Sequence, residues 1–545
     1  MGYEYDAGDR LTRASDTVDP AVSGGFDVAR SYDAAGNVSG IRASGEDTRT
    51  YAYDLAGRLT SLGLPSDPGT ATAFAYDRSG LLTGRTLPDG SAASWSYDAA
   101  GRLSSIADTM PSGVLAFDYT RDANGNVTAE NYTRYSYDAL NRLTSWYDPS
   151  ADATATYDYD AAYNLTGVSV DGSTTASFAF DAADRISSPG YTYDANGNMT
   201  SDDSQTYDYD ALNRLSQVKD AEGTAIATYA YDASNRRISS TDSSGTTYFH
   251  YDGASPNVIA ETDGQGGTIA SYAYDAAGRL HSMRRGGETY YYHANGHGDV
   301  VALTDASGEV VNSYRYDPWG KVLSASETVA NPYRYAGYRY DDVTGLYHLW
   351  NRYYSPTTMR FITKDLNPGA VRNPASLNGY SYCWGNPVNL ADMDGLEPHG
   401  AYMADGLGAG GGNSYARPDI GGATPTLDIE KALLVLVVLR QAVVYAPALA
   451  PYLADKADKC TQAGQAAMPI SEANAGHIFR AAHLIEDSPA SRALLQGTVS
   501  PANLTNYNSA TNVYTYRALM SDGRQVWVDV WNGMITNGGI NAVPR

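Results

Sequence analysis

The sequence predicts a mainly β protein: a long antiparallel sheet of tandem hairpins that winds on itself, followed by a small α+β domain. Three observations predict this. A Tyr-Asp unit returns roughly every 20 residues through the first two-thirds of the chain. The 545 residues include 54 Gly and 46 Tyr but are only 18% charged, the composition of a sheet with many tight turns. The Tyr-Asp pattern then stops after Leu396, where a Gly-rich stretch from Gly406 to Gly422 leads into segments with helical and then strand periodicity.

Each repeat reads as a hairpin. Tyr32-Asp33-Ala34-Ala35-Gly36-Asn37-Val38 returns as Tyr53 to Leu59 and as Tyr97 to Leu103; further copies begin at Tyr76, Tyr137, Tyr159, Tyr193, Tyr209, Tyr231, Tyr251 and Tyr274. Phe117 and Phe180 replace the tyrosine in two copies. Aromatic residues alternate before the Asp (Tyr51 and Tyr53, Tyr207 and Tyr209), as in a strand. The Asp then caps its own backbone, and Gly or Asn three residues on accepts positive φ. A following Leu, Val or Ile opens the return strand. One hairpin cannot bury its aromatic face alone, so neighbours must pair edge to edge into one continuous sheet. A two-sheet sandwich would have to divide near-identical units without any change of pattern. Tyr5-Asp6-Ala7-Gly8-Asp9-Arg10-Leu11 is already a repeat, which reads as a fragment of a longer protein or a short orphan copy.

Bulk properties exclude several functions. A net charge of −24 argues against a nucleic-acid scaffold, DNA included, and against anchoring to anionic membranes. Met1 to Arg10 is polar and acidic, so no signal peptide is read there. The run Ala432 to Leu439 is too short to span a bilayer and reads as a buried helix. Cys383 and Cys460 form no zinc or redox spacing.

Past Gly287 the repeats become irregular. Tyr316-Asp317-Pro318-Trp319-Gly320, Asn331-Pro332-Tyr333-Arg334-Tyr335, Asn351-Arg352-Tyr353-Tyr354-Ser355-Pro356 and Arg360-Phe361-Ile362-Thr363-Lys364-Asp365 follow in order, ending in Asp392-Met393-Asp394-Gly395-Leu396. With the repeats, this ordered set resembles Rhs proteins, Tc-toxin C subunits and teneurins, over roughly Tyr5 to Leu396. The resemblance implies a sheet spiralling into a hollow shell, and aspartate-dependent self-cleavage of the Leu396–Glu397 bond. By that resemblance the working pair is Asp365 and Asp392, with Arg360 orienting a carboxylate. One acid stays protonated for the scissile carbonyl while the other activates water, mutual repulsion splitting their pKa values. Met393 stands where the family has Pro, and Leu366 follows Asp365 where Pro is usual, so Asp394 competes for the second role.

The expected organisation is repeats over residues 1–285, a core with the cleavage motif over 286–396, a Gly-rich linker over 397–425 and a toxin domain over 426–545. Strand residues each tile about 16 Å², so the segment before the cut supplies at most roughly 6,300 Å² of sheet. Wrapping a folded domain of the tip's length takes roughly 7,200 Å². The expectation is therefore an open, partial shell with the tip partly outside.

In the tip, helices are expected over Asp428 to Tyr445 and from Ser471, then strands over Val513 to Leu519, Arg524 to Val530 and Met534 to Ile540. Gly476-His477-Ile478-Phe479-Arg480, His483-Leu484, Asp522-Gly523-Arg524-Gln525-Val526-Trp527-Val528 and Asn532 to Gly539 resemble the tip domain of Rhs and contact-dependent inhibition effectors, of barnase–EndoU–colicin–RelE ribonuclease type. That resemblance implies metal-independent RNA cleavage without a cofactor, needing a base, an acid and a cation for the phosphorane. Arg480 lies at i+3 from His477 on one helix face. His483, six residues on, is read as structural or substrate-binding, and Arg492 as a second phosphate ligand. The leading reading is a secreted or delivered antibacterial toxin, with a delivery apparatus and a cognate immunity protein as partners and RNA as target. An ADP-ribosyltransferase tip is one alternative. A non-enzymatic surface adhesin, with Trp527 and Trp531 on a binding strand, is the other.

Overall fold

The computed structural model describes residues 2–400, apart from 22–24, 47, 68, 254 and 371, and the backbone of four strands between 504 and 541. The chain divides into two compact units, Met1–Gly422 and Ala423–Arg545. The helices expected near Asp428 and Ser471, the Gly406–Gly422 linker and the question of the tip's exposure lie outside the described residues. Among those described, no helix is long and apolar enough to cross a membrane.

The expected single continuous sheet is broken once: the first unit is built from a 17-stranded sheet running from Gly2–Tyr5 to Ser173–Ser177 and a 14-stranded sheet from Tyr191–Tyr193 to Val322–Glu327, because the Phe180 copy between them forms only an isolated bridge, Phe180 to Ile186. Strand follows strand in antiparallel hairpins, as sequential hairpin signals dictate. The pairing slips by one residue at the repeat tyrosine, between Ala52 and Tyr53, Ala75 and Tyr76, and Ala273 and Tyr274. Such bulges increase strand twist and so favour winding over a flat sheet.

One repeat shows how the sequence specifies the turn. Asp54 Oδ1 accepts the N–H groups of Ala56 and Arg58 at 2.9 and 3.0 Å, and Arg58 Nε donates to Asp54 Oδ2 at 2.7 Å. Asp54 N–H donates to Arg58 O at 3.0 Å, closing the loop. The next repeat is tied on in two ways. The Arg58 guanidinium lies 5.1 Å from the centre of the Tyr76 ring, and Tyr76 Oη donates to Leu59 O at 2.9 Å. Tyr97, Tyr159, Tyr231 and Tyr274 repeat the hydroxyl bond to Leu82, Leu143, Leu215 and Val258. That recurring bond is why the position is tyrosine: each hydroxyl nets about 1 kcal/mol that Phe cannot supply.

The second sheet is stitched to the first through buried histidines. His250 Nδ1 lies 3.0 Å from Asp16, and its Nε2 2.9 Å from Thr262 Oγ1, which donates to Asp19. His293 repeats this with Asp108, Thr304 and Asp89. A pocket of about 550 Å³ is lined by Arg49 and Tyr51 of the first sheet, Arg237 and Tyr272 of the second, and Tyr333 and Arg339 of the segment that follows.

A small four-stranded sheet (Arg339–Asp341, Leu346–Leu349, Arg352–Ser355, Arg360–Phe361) follows. It packs Tyr347, Tyr354 and Phe361 against Trp319, Tyr335 and Tyr382, together with Leu143 and Tyr157 of the first sheet. Cys383 is buried in this cluster as a free thiol; Cys460 lies outside the described residues. In the second unit Leu504–Asn508, Val513–Leu519, Gln525–Trp531 and Met534–Asn541 form an antiparallel meander. The last three strands match the expected ones within a residue. The first went unread because Leu504–Asn508 alternates weakly and carries two asparagines.

Candidate self-cleavage site

The strand Leu390–Ala391 leads into the junction and His399–Gly400 leads out, with Leu390 paired to Gly400 and Ala391 to His399. Residues 392–398 are therefore a loop clasped at its base, with the Leu396–Glu397 bond inside it. His297 secures the incoming strand: its Nε2 lies 3.1 Å from Leu390 O, and its Nδ1 lies 2.8 Å from Asp299 Oδ1.

The hairpin of Leu346–Leu349 and Arg352–Ser355 turns on Trp350 and Asn351, and this tip cradles the loop. Asn351 donates to Asp394 O through its backbone at 3.1 Å and its side chain at 3.0 Å. Arg352 Nε donates to Gly395 O. Gly395 has φ +72°, and a Cβ there would lie 2.6 Å from Leu349 O, so the close approach admits only glycine.

Arg352, 5% exposed, gathers the carboxylates. Its Nη2 lies 2.8 Å from Asp365 Oδ2 and 3.6 Å from Asp392 Oδ2. Its Nη1 donates to Gly379 O at 2.9 Å, and its guanidinium carbon sits 3.6 Å from the centre of the Phe361 ring. Asp392 is 1% exposed, and Leu396 N–H donates to its Oδ1 and to Asp394 Oδ1, each at 3.0 Å. Burial raises the Asp392 carboxyl to about 7, with Arg352 opposing and the Asp394 and Asp365 charges adding. Burial raises Asp365 too, opposed by Arg352 at hydrogen-bond distance. Asn367 bridges the outgoing side, donating to Asp365 Oδ1 from its backbone and to Glu397 Oε1 from its side chain, each at 2.7 Å.

The geometry therefore brings together Asp365, Asp392 and Asp394, and it replaces Arg360 by Arg352 as the cation that meets them. Arg360 Nη2 donates to Asp184 O at 2.5 Å, and its guanidinium lies 4.8 Å and 4.9 Å from the centres of the Phe180 and Tyr380 rings. It pins an earlier repeat to the core. Sequence motifs alone single out neither Arg352 nor His297. Arg352 stood in view within Asn351-Arg352-Tyr353-Tyr354, but only the two-residue turn before it shows where it reaches. His477, Arg480, His483 and Arg492 lie outside the described residues.

Comparison with known proteins agrees with this architecture. The Teneurin YD-shell model matches residues 119–388, and the RHS Repeat model matches residues 32–68 and 76–115. The tRNA3(Ser)-specific nuclease WapA of Bacillus spizizenii is 33% identical over 270 residues, which is 48% of this chain and 12% of that protein. The tRNA nuclease WapA of Bacillus subtilis is 34% identical over 215 residues, 39% of this chain and 9% of the relative. The chain thus spans about a tenth of the length of these curated relatives. Among solved structures, the TcdB2-TccC3 crystal structure superposes on 72% of this chain and 24% of its own with a TM-score of 0.58 at 20% identity, a likeness of fold.

Proposed function

The chain belongs to the Rhs/YD-repeat family, and from that premise we propose that it is a polymorphic toxin whose repeat unit cuts its own chain after Leu396 and whose C-terminal segment cleaves RNA. The observation that carries the first step is the meeting of Asp365 and Asp392 on Arg352 beside a clasped loop. Asp392, the more deeply buried acid, holds its proton below about pH 7 and serves the scissile carbonyl. Asp365, ion-paired to Arg352, is the base that takes a proton from water. The hydroxide adds to the Leu396 carbonyl carbon, the Leu396–Glu397 bond breaks, and the proton passes to the Glu397 nitrogen. Arg352 holds both carboxyls and the preceding Gly395 carbonyl in one place.

The relatives named as tRNA nucleases support RNA as the substrate class of the tip. In this reading His477 is the base or acid, Arg480 and Arg492 hold phosphate, and His483 supports them. A producing cell then needs an immunity protein, and a delivery apparatus carries the toxin to its target.

Intact mass of the purified full chain tests the cut. Two fragments dividing at Leu396–Glu397 are expected, and one polypeptide from Asp392→Asn. A wild-type chain that stays whole after prolonged incubation rejects the self-cleavage. Incubating the wild-type protein with total RNA, with and without NAD, tests the tip: RNA should shorten without NAD, and His477→Ala should stop it.

A further inference from the structure

The repeat turns share one hydrogen bond. The N–H of the Asp donates to the carbonyl of the residue four positions on: Asp33 to Asn37, Asp54 to Arg58, Asp98 to Arg102, Asp138 to Arg142 and Asp275 to Arg279, all between 2.8 and 3.0 Å. The junction Asp392-x-x-Gly395-Leu396 has the same spacing. Gly395 has φ +72°, against +76° for Gly57 and +77° for Gly101. Asp392 Oδ1 also accepts the N–H four residues on, as Asp54 Oδ1 does. The junction thus keeps the spacing, the glycine and the carboxylate–amide bond of a repeat turn but not its backbone bonds: Gly57 N–H donates to Asp54 O, whereas at the junction Asn351 donates to Asp394 O and Arg352 Nε to Gly395 O. Asp392 N–H donates at 2.7 Å to Tyr338 Oη, from the core, and not to Leu396 O. Leu396 O is the scissile carbonyl.

We propose that Tyr338 is a positioning residue for self-cleavage: by capturing Asp392 N–H it holds the turn open and frees the Leu396 carbonyl from the bond that locks the turns at Asp33, Asp54, Asp98, Asp138 and Asp275. This rests on the cleavage reading above. A carbonyl bound within its own turn has its oxygen aimed back along the backbone, and a closed turn shields the carbon from water. Opening the turn presents that oxygen to the neutral Asp392 carboxyl and the carbon to water activated by Asp365. A buried Asp392 N–H without a partner would be costly to desolvate, and the Tyr338 hydroxyl removes that cost. Tyr338 is 4% exposed and its hydroxyl also meets Tyr382 Oη at 3.0 Å, so its ring is fixed from the far side.

Two full-chain variants separate this role from mere packing. Tyr338→Phe loses both the hydroxyl pair and the grip on Asp392, whereas Tyr382→Phe loses only the hydroxyl pair. Cleavage should slow at least tenfold in Tyr338→Phe and stay within about threefold of wild type in Tyr382→Phe. A second readout needs no cleavage. Leu396–Glu397 is the sole Leu–Glu step in the sequence, so a chain labelled with carbonyl-¹³C leucine and ¹⁵N glutamate gives one correlated NMR signal from the scissile bond. In an Asp365→Asn background that keeps the bond intact, adding Tyr338→Phe should shift that carbonyl downfield as the turn closes. A carbonyl signal that does not move, or equal slowing in the two phenylalanine variants, overturns the assignment. If the wild-type chain is never cut, the cleavage reading fails, while the carbonyl signal still decides whether Tyr338 holds the turn open.

Discussion

The turn at Asp54 and the turn at Asp392 are built on one pattern and put to opposite electrostatic use. At the surface, Asp54 is fixed by the Arg58 and Ala56 backbone and by the Arg58 guanidinium, and these hydrogen bonds hold its carboxyl below the ordinary range. At the junction, Leu396 stands where the repeat has Arg58. The partner guanidinium, Arg352, comes from another strand and lies 3.6 Å away. Burial then dominates and raises the carboxyl to about 7. A turn that stabilises charge becomes a site that stores a proton once its own arginine is removed and the core closes over it.

The sharpest break of this comparison is Asp392→Asn against Asp98→Asn. The first should abolish cleavage, by at least about a thousandfold, because the proton donor is gone. The second alters an exposed turn and should leave the cleavage rate unchanged; both are read by intact mass over time.

Arg352→Gln comes next. Removing one partner of a buried ion pair costs about 3–5 kcal/mol, and here it frees two carboxyls, so cleavage should fall by about a hundredfold or more. Arg360→Gln should lower the melting temperature without comparable loss of cleavage, since its partners are the Asp184 carbonyl and two rings. Equal losses of cleavage from both would return Arg360 to the site.

Acidity supplies a graded test. The Asp392 value lies above that of a free aspartate, so the stabilisation from its neutral form is complete below about pH 4 and is lost as the pH rises through about 7. Cleavage should fall with it, roughly tenfold per unit above about 7. A rate that climbs steadily from pH 6 to 9 would contradict the assignment of Asp392 as the acid.

The smallest contrast is between glycines with the same backbone. Gly57→Ala meets only Asn37 Oδ1 at 3.9 Å, an ordinary contact, and should cost only the positive-φ strain, about 1–2 kcal/mol by denaturant melting. Gly395→Ala drives a methyl against the Leu349 carbonyl, so it should cost more and also slow cleavage.

The repeats were legible because their information is local. Asp, Gly or Asn, and the i+4 arginine lie within five residues, and the tyrosine that binds the next repeat announces itself by period. The pair Asp365 and Asp392 was reachable through the resemblance alone, and it does meet on one guanidinium. Arg352 was not reachable, since two arginines open neighbouring strands and sequence cannot say which strand faces the loop. Tyr338 was hidden for the same reason, being one of 46 tyrosines, distinguished only by the backbone N–H it receives. The histidine stitches needed pairings across more than 180 residues, Asp108 to His293 and Asp16 to His250. No local pattern encodes such distances.

The clasp of Leu390–Ala391 on His399–Gly400 turns the junction into a mechanical fuse. While the chain is intact, pulling on the downstream segment loads a covalent backbone. Once the bond inside the loop is cut, the same pull is borne by two residue pairs and the Asn367–Glu397 contact. At about 1 kcal/mol for each hydrogen bond, that grip is worth only a few kcal/mol. Cleavage would thus leave the downstream strand seated at rest but unable to resist traction, so the timing of release would be set by whatever draws on the chain.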